Sequence, residues 1–199
     1  MRPEGLSVHI DTGRLAIVPL GPQHARLLFS SMQDEAIYEW ISASPPASVE
    51  ILEASWTRLA QRLLTAQDVV WLAWAVMRRS DGAWIGKLDA NVETSAVASN
   101  VGYLFFPPFW RNGYATEAVR ALSGMLAGQG VVEQIATVTR GNATSCRVLE
   151  RAGFRQARIL PGNDTLRGVA VDDIEYRRGR VETGGRRIDS RDPTGDQRP

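Results

Sequence analysis

Apolar residues along this chain change their spacing several times, and each change marks an element. Residues 1–13 read as a loose leader. The apolar run at 15–18 is a first strand, stopped by Pro19. Pro22 opens a helix in which Ala25, Leu28, Phe29 and Met32 fall at i, i+3, i+4 and i+7. A second helical piece covers 34–40, and the Ser- and Pro-rich stretch 42–46 is a loop. Leu52, Trp56, Leu59 and Leu63 then make the stripe of a helix over 49–64. From 69 to 77 the pattern becomes a continuous apolar run, as in a strand covered on both faces. Asp81-Gly82 is a turn. Trp84, Gly86, Leu88, Ala90 and Val92 next alternate with Lys87, Asp89 and Asn91, which is a half-buried strand.

A polar turn at 94–99 leads to a strand at 101–106, ended by Pro107-Pro108 because proline cannot donate to a ladder. A helix follows over 115–127, with Ala118, Leu122, Met125 and Leu126 on its buried side and Gly128 and Gly130 closing it. Residues 134–139 read as a strand, 144–152 as a helix ended by Gly153, and 154–160 and 169–177 as strands. The order is βαα, three strands, then αβαββ. This predicts one mixed α+β (α/β) domain over 14–178, followed by a disordered Arg-, Gly- and Asp-rich tail at 179–199.

Composition narrows the function classes. The chain has 199 residues, enough for one well-formed core. No apolar run approaches the ~20 residues of a membrane span. The first residues carry no apolar stretch behind their charge, and Cys146 is the only cysteine. Together these predict a cytoplasmic protein with neither a signal peptide nor a disulfide framework. A net charge of +1 argues against a dedicated nucleic-acid binder. The tail holds arginines interleaved with aspartates, which reads as a solvated linker. Besides Cys146 only His9 and His24 offer soft ligands, so no zinc site is expected.

The segment with chemistry in it is Phe105-Phe106-Pro107-Pro108-Phe109-Trp110-Arg111-Asn112-Gly113-Tyr114-Ala115-Thr116-Glu117-Ala118. A strand stops at prolines, a polar turn with one glycine follows, and a helix begins. That arrangement leaves unpaired N–H groups at the positive end of the helix dipole, a site suited to phosphate. Gly113 allows a left-handed backbone, Ala115 is small, and Arg111 adds a side-chain donor. Neither a Walker loop nor a dinucleotide fingerprint fits these residues. On its own, the glycine also reads as a simple helix cap.

The run Trp110-Arg111-Asn112-Gly113-Tyr114-Ala115-Thr116-Glu117-Ala118 resembles the acyl-CoA signature of the GCN5-related N-acetyltransferases (GNAT). It is closest to their RimJ/RimL-like branch, which resembles the ribosomal-protein alanine N-acetyltransferases. Residues 101–107 resemble that branch's fourth strand. Residues 142–154 resemble its second motif, an Asn-x-x-Ser helix ending in Gly-Phe, and 13–20 resemble its opening. The resemblance spans 13–177. It implies a GNAT-like fold: one mostly antiparallel mixed sheet flanked by helices and splayed between strands 4 and 5. It implies acetyl-CoA as co-substrate, an amine acceptor, no metal, no membrane and a homodimer.

Residue by residue, the resemblance puts the pantetheine arm against backbone groups of Tyr103, Leu104 and Phe105. The diphosphate falls to main-chain N–H groups of Arg111, Asn112, Gly113, Tyr114 and Ala115, with Thr116 beside them. Asn142 would bond the pantetheine, and Ser145 would lie near the thioester sulfur and donate a proton to the leaving thiolate. Three positions depart from the family pattern. Trp110 stands where Gln or Arg is usual, Arg111 where Gly is usual, and Leu149 where many relatives carry a tyrosine acid.

Amine attack also needs an oxyanion donor, expected from an N–H near Leu104 or Phe105, and a base. Asp89, Glu35 and Glu39 are the candidate bases, each with a plainer reading as a solvated side chain. His24 reads as surface or capping. Cys146 has no histidine nearby in the chain to make it a nucleophile. Trp71, Trp74 and Trp84 read as core, and Trp40 and Trp56 as core or acceptor wall. A non-catalytic acyl-CoA-binding regulator of the same fold is the alternative function.

Overall fold

The computed structural model describes residues 3–61 and 68–179. Leu63, at the end of the predicted helix stripe, and the tail at 180–199 lie outside the described residues. The strands are β1 (Ile10–Asp11), β2 (Leu15–Pro19), β3 (Val69–Arg78), β4 (Trp84–Glu93), β5 (Val97–Phe105), β6 (Glu133–Thr139), β7 (Arg155–Leu166) and β8 (Val169–Gly179). The α-helices are α1 (Ala25–Leu28), α2 (Val49–Ala60), α3 (Tyr114–Gly128) and α4 (Ala143–Arg151). They form one eight-stranded sheet in the order β1-β2-β3-β4-β5-β6-β8-β7. Every neighbouring pair is antiparallel except β5 and β6.

The β5–β6 pair is what makes a site. It is joined only at Val97↔Glu133 and Ala98↔Gln134, after which the strands part. A register shift opposite Asn91/Val92 leaves Ser99 unmatched in β5 and bends that strand away from its parallel neighbour. The expected splay is therefore present. The short strand β1 raises the strand count by one, so it lies between β5 and β6.

Both faces of the sheet are covered, as the continuous apolar run of β3 requires. One face packs Leu72, Trp74, Leu88, Val101 and Phe105 under α3 and α4, through Ala118, Leu122, Leu126 and Leu149. The other packs Ala73, Ala75, Leu104 and Phe106 against Leu28, Leu52 and Trp56 of the early helices.

Four expectations change. The leader is partly built in: Leu6 is buried, and Val8 carbonyl accepts the Trp74 indole N–H at 3.0 Å. The first helix is broken into a turn at Pro22–His24, α1, and a turn at Ser31–Gln33, and the piece after it is a 3-10 helix at Glu35–Trp40. Trp71 is not core but 58% exposed: it shares a face with Ala73 and Ala75 but lies beyond the part of that face the early helices cover. His24 does cap, accepting from Gly21 N–H at 3.1 Å, but it is buried edge-on against Trp84, not at the surface.

Candidate active site

The main chain of β5 decides what its open edge can offer. Phe106 N–H donates to Ile85 carbonyl at 3.0 Å. In an antiparallel ladder alternate residues share that bonding, so Leu104 (opposite Lys87) and Gly102 (opposite Asp89) also turn their main chain toward β4. Tyr103 and Phe105 turn theirs toward the opening beside β6. This corrects the expectation for Leu104, whose backbone groups are committed to β4. Its carbonyl lies only 2.3 Å from where a Cβ on Gly86 would stand, consistent with that direction. The N–H of Phe105, not that of Leu104, is the one free to face an oxyanion.

The departure at position 110 has a structural use. Trp110 indole N–H donates to Phe105 carbonyl at 2.5 Å, closing the last acceptor on that edge. The chain then turns through Pro107–Phe109, a 3-10 segment, into α3. Arg111 (φ 62°) and Gly113 (φ 77°) are both left-handed. Gly113 holds this without strain as the N-cap of the 15-residue helix α3. At Arg111 the left-handed backbone costs about 1 kcal/mol, which glycine would not incur. Among the described residues, none of the main-chain N–H groups of 111–116 has a protein acceptor. They lie at the positive end of the helix, where an anion is stabilised. Arg111's side chain is exposed.

Arg14, which sequence reasoning missed, secures this turn. Its Nη1 donates to Asn112 carbonyl at 3.0 Å, and its Nη2 lies 2.6 Å from Glu117 Oε2. Its guanidinium also stands 4.6 Å over the Tyr114 ring. Thr12 Oγ1 donates to the other Glu117 oxygen at 2.6 Å. Burial pushes the Glu117 carboxyl up, but the bonds from Thr12 and Arg14 outweigh it and hold its pKa below the ordinary carboxylate value. Holding Asn112 carbonyl on one side aims the N–H of the same peptide unit, that of Gly113, at the other. No local signal marks Arg14, because its partners lie about a hundred residues further on.

Across the opening, Asn142 is the N-cap of α4: its Oδ1 accepts from Ser145 N–H at 3.0 Å. That bond uses the side-chain oxygen and leaves the amide N–H groups of Asn142 for a partner. Ser145 does not itself cap; its Oγ lies 2.6 Å from Tyr103 Oη. Cys146 is free and half-buried. Leu149 is fully buried in the core.

The candidate bases separate. Asp89 lies against Gly102, where a Cβ would meet its Oδ2 at 2.3 Å, and its Oδ1 receives Lys87 Nζ at 2.9 Å. Asp89 is on the α1/α2 side of the sheet, opposite the face that carries Tyr103 and Ser145. Glu35 lines a cleft of about 390 Å³ with Tyr38, Ile41, Ser42, Thr165 and Arg167. Ser42 fixes that cleft by donating to Asp164 Oδ2 at 2.6 Å. Glu39 is exposed. No group of His, Cys, Asp and Glu among the described residues could hold a metal. No helix there is long and apolar enough to cross a membrane.

Comparison with known proteins agrees with this arrangement. The pattern that defines the acetyltransferase (GNAT) domain matches residues 14–155. An uncharacterized N-acetyltransferase, YoaA of Bacillus subtilis (strain 168), is 22% identical over 169 residues, 84% of this chain and 94% of its own. RimL, a ribosomal L7/L12 alpha-N-protein acetyltransferase solved with coenzyme A, superposes with a TM-score of 0.75 at 19% identity, over 85% of this chain and 97% of its own. The microcin C7 self-immunity acetyltransferase MccE, solved with acetyl-CoA and AMP, gives 0.75 at 15% identity over 85% and 94%. The ribosomal-protein-S5-alanine acetyltransferase of Vibrio fischeri gives 0.74 at 16% identity over 88% and 98%. These three solved structures share the fold.

Proposed function

This chain belongs to the GNAT acetyltransferase family, and from that premise we propose that it carries acetyl from acetyl-CoA to a primary amine. The acceptor is a protein N-terminus, an amino acid or a small amine, and attack is direct, within a ternary complex. The carrying observation is the row of unpartnered N–H groups at 111–116, at the mouth of the strand opening. A diphosphate there lets the pantetheine run inward beside Tyr103 and Phe105 and brings the thioester to the level of Ser145. RimL and MccE, whose folds match, were solved with coenzyme A and with acetyl-CoA respectively. A cytoplasmic location belongs to this reading.

Chemically, the Phe105 N–H serves as oxyanion donor as the thioester carbonyl becomes tetrahedral. Asp89 takes the amine's proton on one face of the sheet, and Ser145 returns a proton to the sulfur on the other. The thioester lies in the gap between them, so neither group has to move past the other.

Gly113→Asp tests the binding half. A Cβ at that position would touch only Arg14 Nη2, at an ordinary 3.6 Å, so the fold survives the added bulk. The new carboxylate adds negative charge at the helix start proposed to hold the diphosphate, and calorimetric affinity for acetyl-CoA is expected to vanish. Gly113→Ala, with the strain but not the charge, keeps most of it. Wild-type affinity in the aspartate variant would refute the assignment. Thiol release from acetyl-CoA with a panel of amines and peptides tests the transfer half. A chain that binds acetyl-CoA but releases no thiol with any acceptor would be the non-catalytic regulator instead.

A further inference from the structure

A serine hydroxyl is a weak acid to offer a thiolate. Once it has given its proton away, the alkoxide left behind is more basic than the thiolate it served. The arrangement works if a second protic group refills it at once, and this structure has one in contact. Tyr103 Oη lies 2.6 Å from Ser145 Oγ and 3.0 Å from Ser145 carbonyl oxygen. The two residues come from opposite sides of the splay, strand β5 and the first turn of α4. The contact therefore bridges the gap in which the thioester is placed.

The rest of the neighbourhood singles out Tyr103. Leu149, one turn further along α4, is aliphatic and fully buried. Tyr176, the other phenol packed beneath that helix, donates to Glu150 Oε1 at 3.2 Å and is engaged there. Burial raises the Tyr103 hydroxyl above its ordinary pKa, so the phenol holds its proton until the serine oxygen, the stronger base, takes it. Its proton has two destinations. When the phenol donates to Ser145 carbonyl, the short Oγ···Oη contact forces the serine proton onto the phenol oxygen, away from the opening. When the phenol donates to Oγ, the serine proton is released to point at the sulfur.

We propose that Tyr103 is a positioning residue that acts through Ser145, completing a two-hydroxyl proton relay from β5 to the departing thiolate. The inference rests on the role given to Ser145 above. In the step, the amine nitrogen bonds to the thioester carbon and the carbon–sulfur bond breaks with its electron pair on sulfur. Sulfur takes the Ser145 Oγ proton as Oγ takes the Tyr103 proton. The proton lost by the amine passes to the base and solvent, and solvent restores the phenol. The products are the amide and free coenzyme A thiol, with no net proton gained or lost by the protein.

The test compares wild type, Tyr103→Phe, Ser145→Ala and the double variant, using the acceptor that releases thiol fastest in the amine and peptide panel. Calorimetric affinity for coenzyme A should stay at the wild-type value in all four. In Tyr103→Phe, kcat should fall roughly 100-fold, the low end of what a general acid supplies. The double variant should be no slower than the slower single, as for residues that act as a unit. A plot of kcat against D₂O fraction should be bowed in wild type, where two protons move, and straight in Tyr103→Phe. A purely structural role for the phenol would not straighten it. If removing the ring's hydroxyl disturbs folding, Ser145→Ala breaks the same link from its other end and must straighten the plot too. Wild-type kcat in Tyr103→Phe, or single losses that multiply in the double variant, would overturn the relay. So would full activity in Ser145→Ala, which leaves the acetyltransferase reading standing. No thiol release by wild type with any acceptor removes that reading, and the relay with it.

Discussion

In the proposed reading the turn at 107–117 is the donor side of the site, and the cleft built from residues 35–45 and the β7–β8 hairpin tip is the acceptor side. The first is anchored by a 15-residue helix and by Arg14, whose guanidinium meets a carbonyl, a carboxylate and an aromatic ring. The second has a six-residue 3-10 helix, Ser42 reaching to Asp164 and Thr165, and the Trp40 ring against Gly141. One side presents main-chain N–H groups in fixed directions; the other presents side chains on short segments. Diphosphate is common to every acyl-CoA, so its site can be built rigidly from backbone. An acceptor differs from enzyme to enzyme, and the wall proposed for it is made of short segments and side chains that substitution alters easily.

The largest expected effect falls where the two sides meet. Asp89→Asn, at the proposed base, should lower kcat roughly 100-fold while acetyl-CoA affinity stays put. Gly102→Ala should act in the same direction, since its methyl would displace the Asp89 carboxylate and break the contact with Lys87. Steady-state kinetics that find kcat within threefold of wild type in both variants would move the base to the acceptor wall, where Glu35 is next. An effect on acetyl-CoA affinity instead would mean that Asp89 belongs to the donor side.

Arg14→Gln probes the rigid side. The turn keeps its sequence but loses the bond to Asn112 carbonyl and the Glu117 pair. The KM for acetyl-CoA should rise about tenfold, equivalent to about 1.4 kcal/mol, with kcat nearly unchanged. Arg14→Lys should recover little, because an ammonium cannot span both partners and stack on Tyr114 as a planar fork does. An unchanged KM would show that the turn holds itself.

Much of the rigid side could be read from residue order alone. Prolines after a strand, one glycine and a helix start describe the turn wherever they occur, and the two motifs place the splay. What the order could not show depends on pairs far apart in sequence. Arg14 meets Asn112, and Tyr103 meets Ser145, only once the sheet has formed. Leu104 was assigned to the opening because its place in the strand is clear, whereas which edge it uses follows from a ladder bond made by Phe106 and Ile85. Trp71 looked buried because its run is apolar throughout. The acceptor wall was the least legible, since 3-10 turns have no long apolar period and the cleft closes only against a hairpin about 120 residues away.

Arg167→Ala sharpens the comparison from the acceptor side. Exposed Arg167 lines the same cleft as Glu35, and losing its charge should raise the KM for an acidic acceptor about threefold, as an exposed ionic contact implies. Acetyl-CoA kinetics should not change. A shift in the acetyl-CoA KM would mean that the two walls are coupled.

The smallest effect is one of pH, and it should reach the two sides in order. His24, in the helical layer behind the acceptor wall, is buried, and that burial lowers its pKa although the Gly21 carbonyl pulls the other way. A lowered folded value means that the unfolded chain takes up the proton first. Its contribution is therefore complete above about pH 6.5 and is lost as pH falls toward the folded value. Glu117 is also lowered, but as a carboxylate: its contribution is complete above about pH 4.3 and fails only below that. Between these limits the acceptor-side layer should loosen while the diphosphate turn keeps its clamp. Amide exchange at pH 5.5 against pH 7.5 should show protection falling around 22–29 and holding at 114–120, with a melting temperature lower by about 2–4 °C. His24→Asn, which keeps a capping acceptor and cannot charge, should flatten that step. Equal loss of protection in both segments would mean that the two sides melt as one unit, and that their different construction carries no difference in stability.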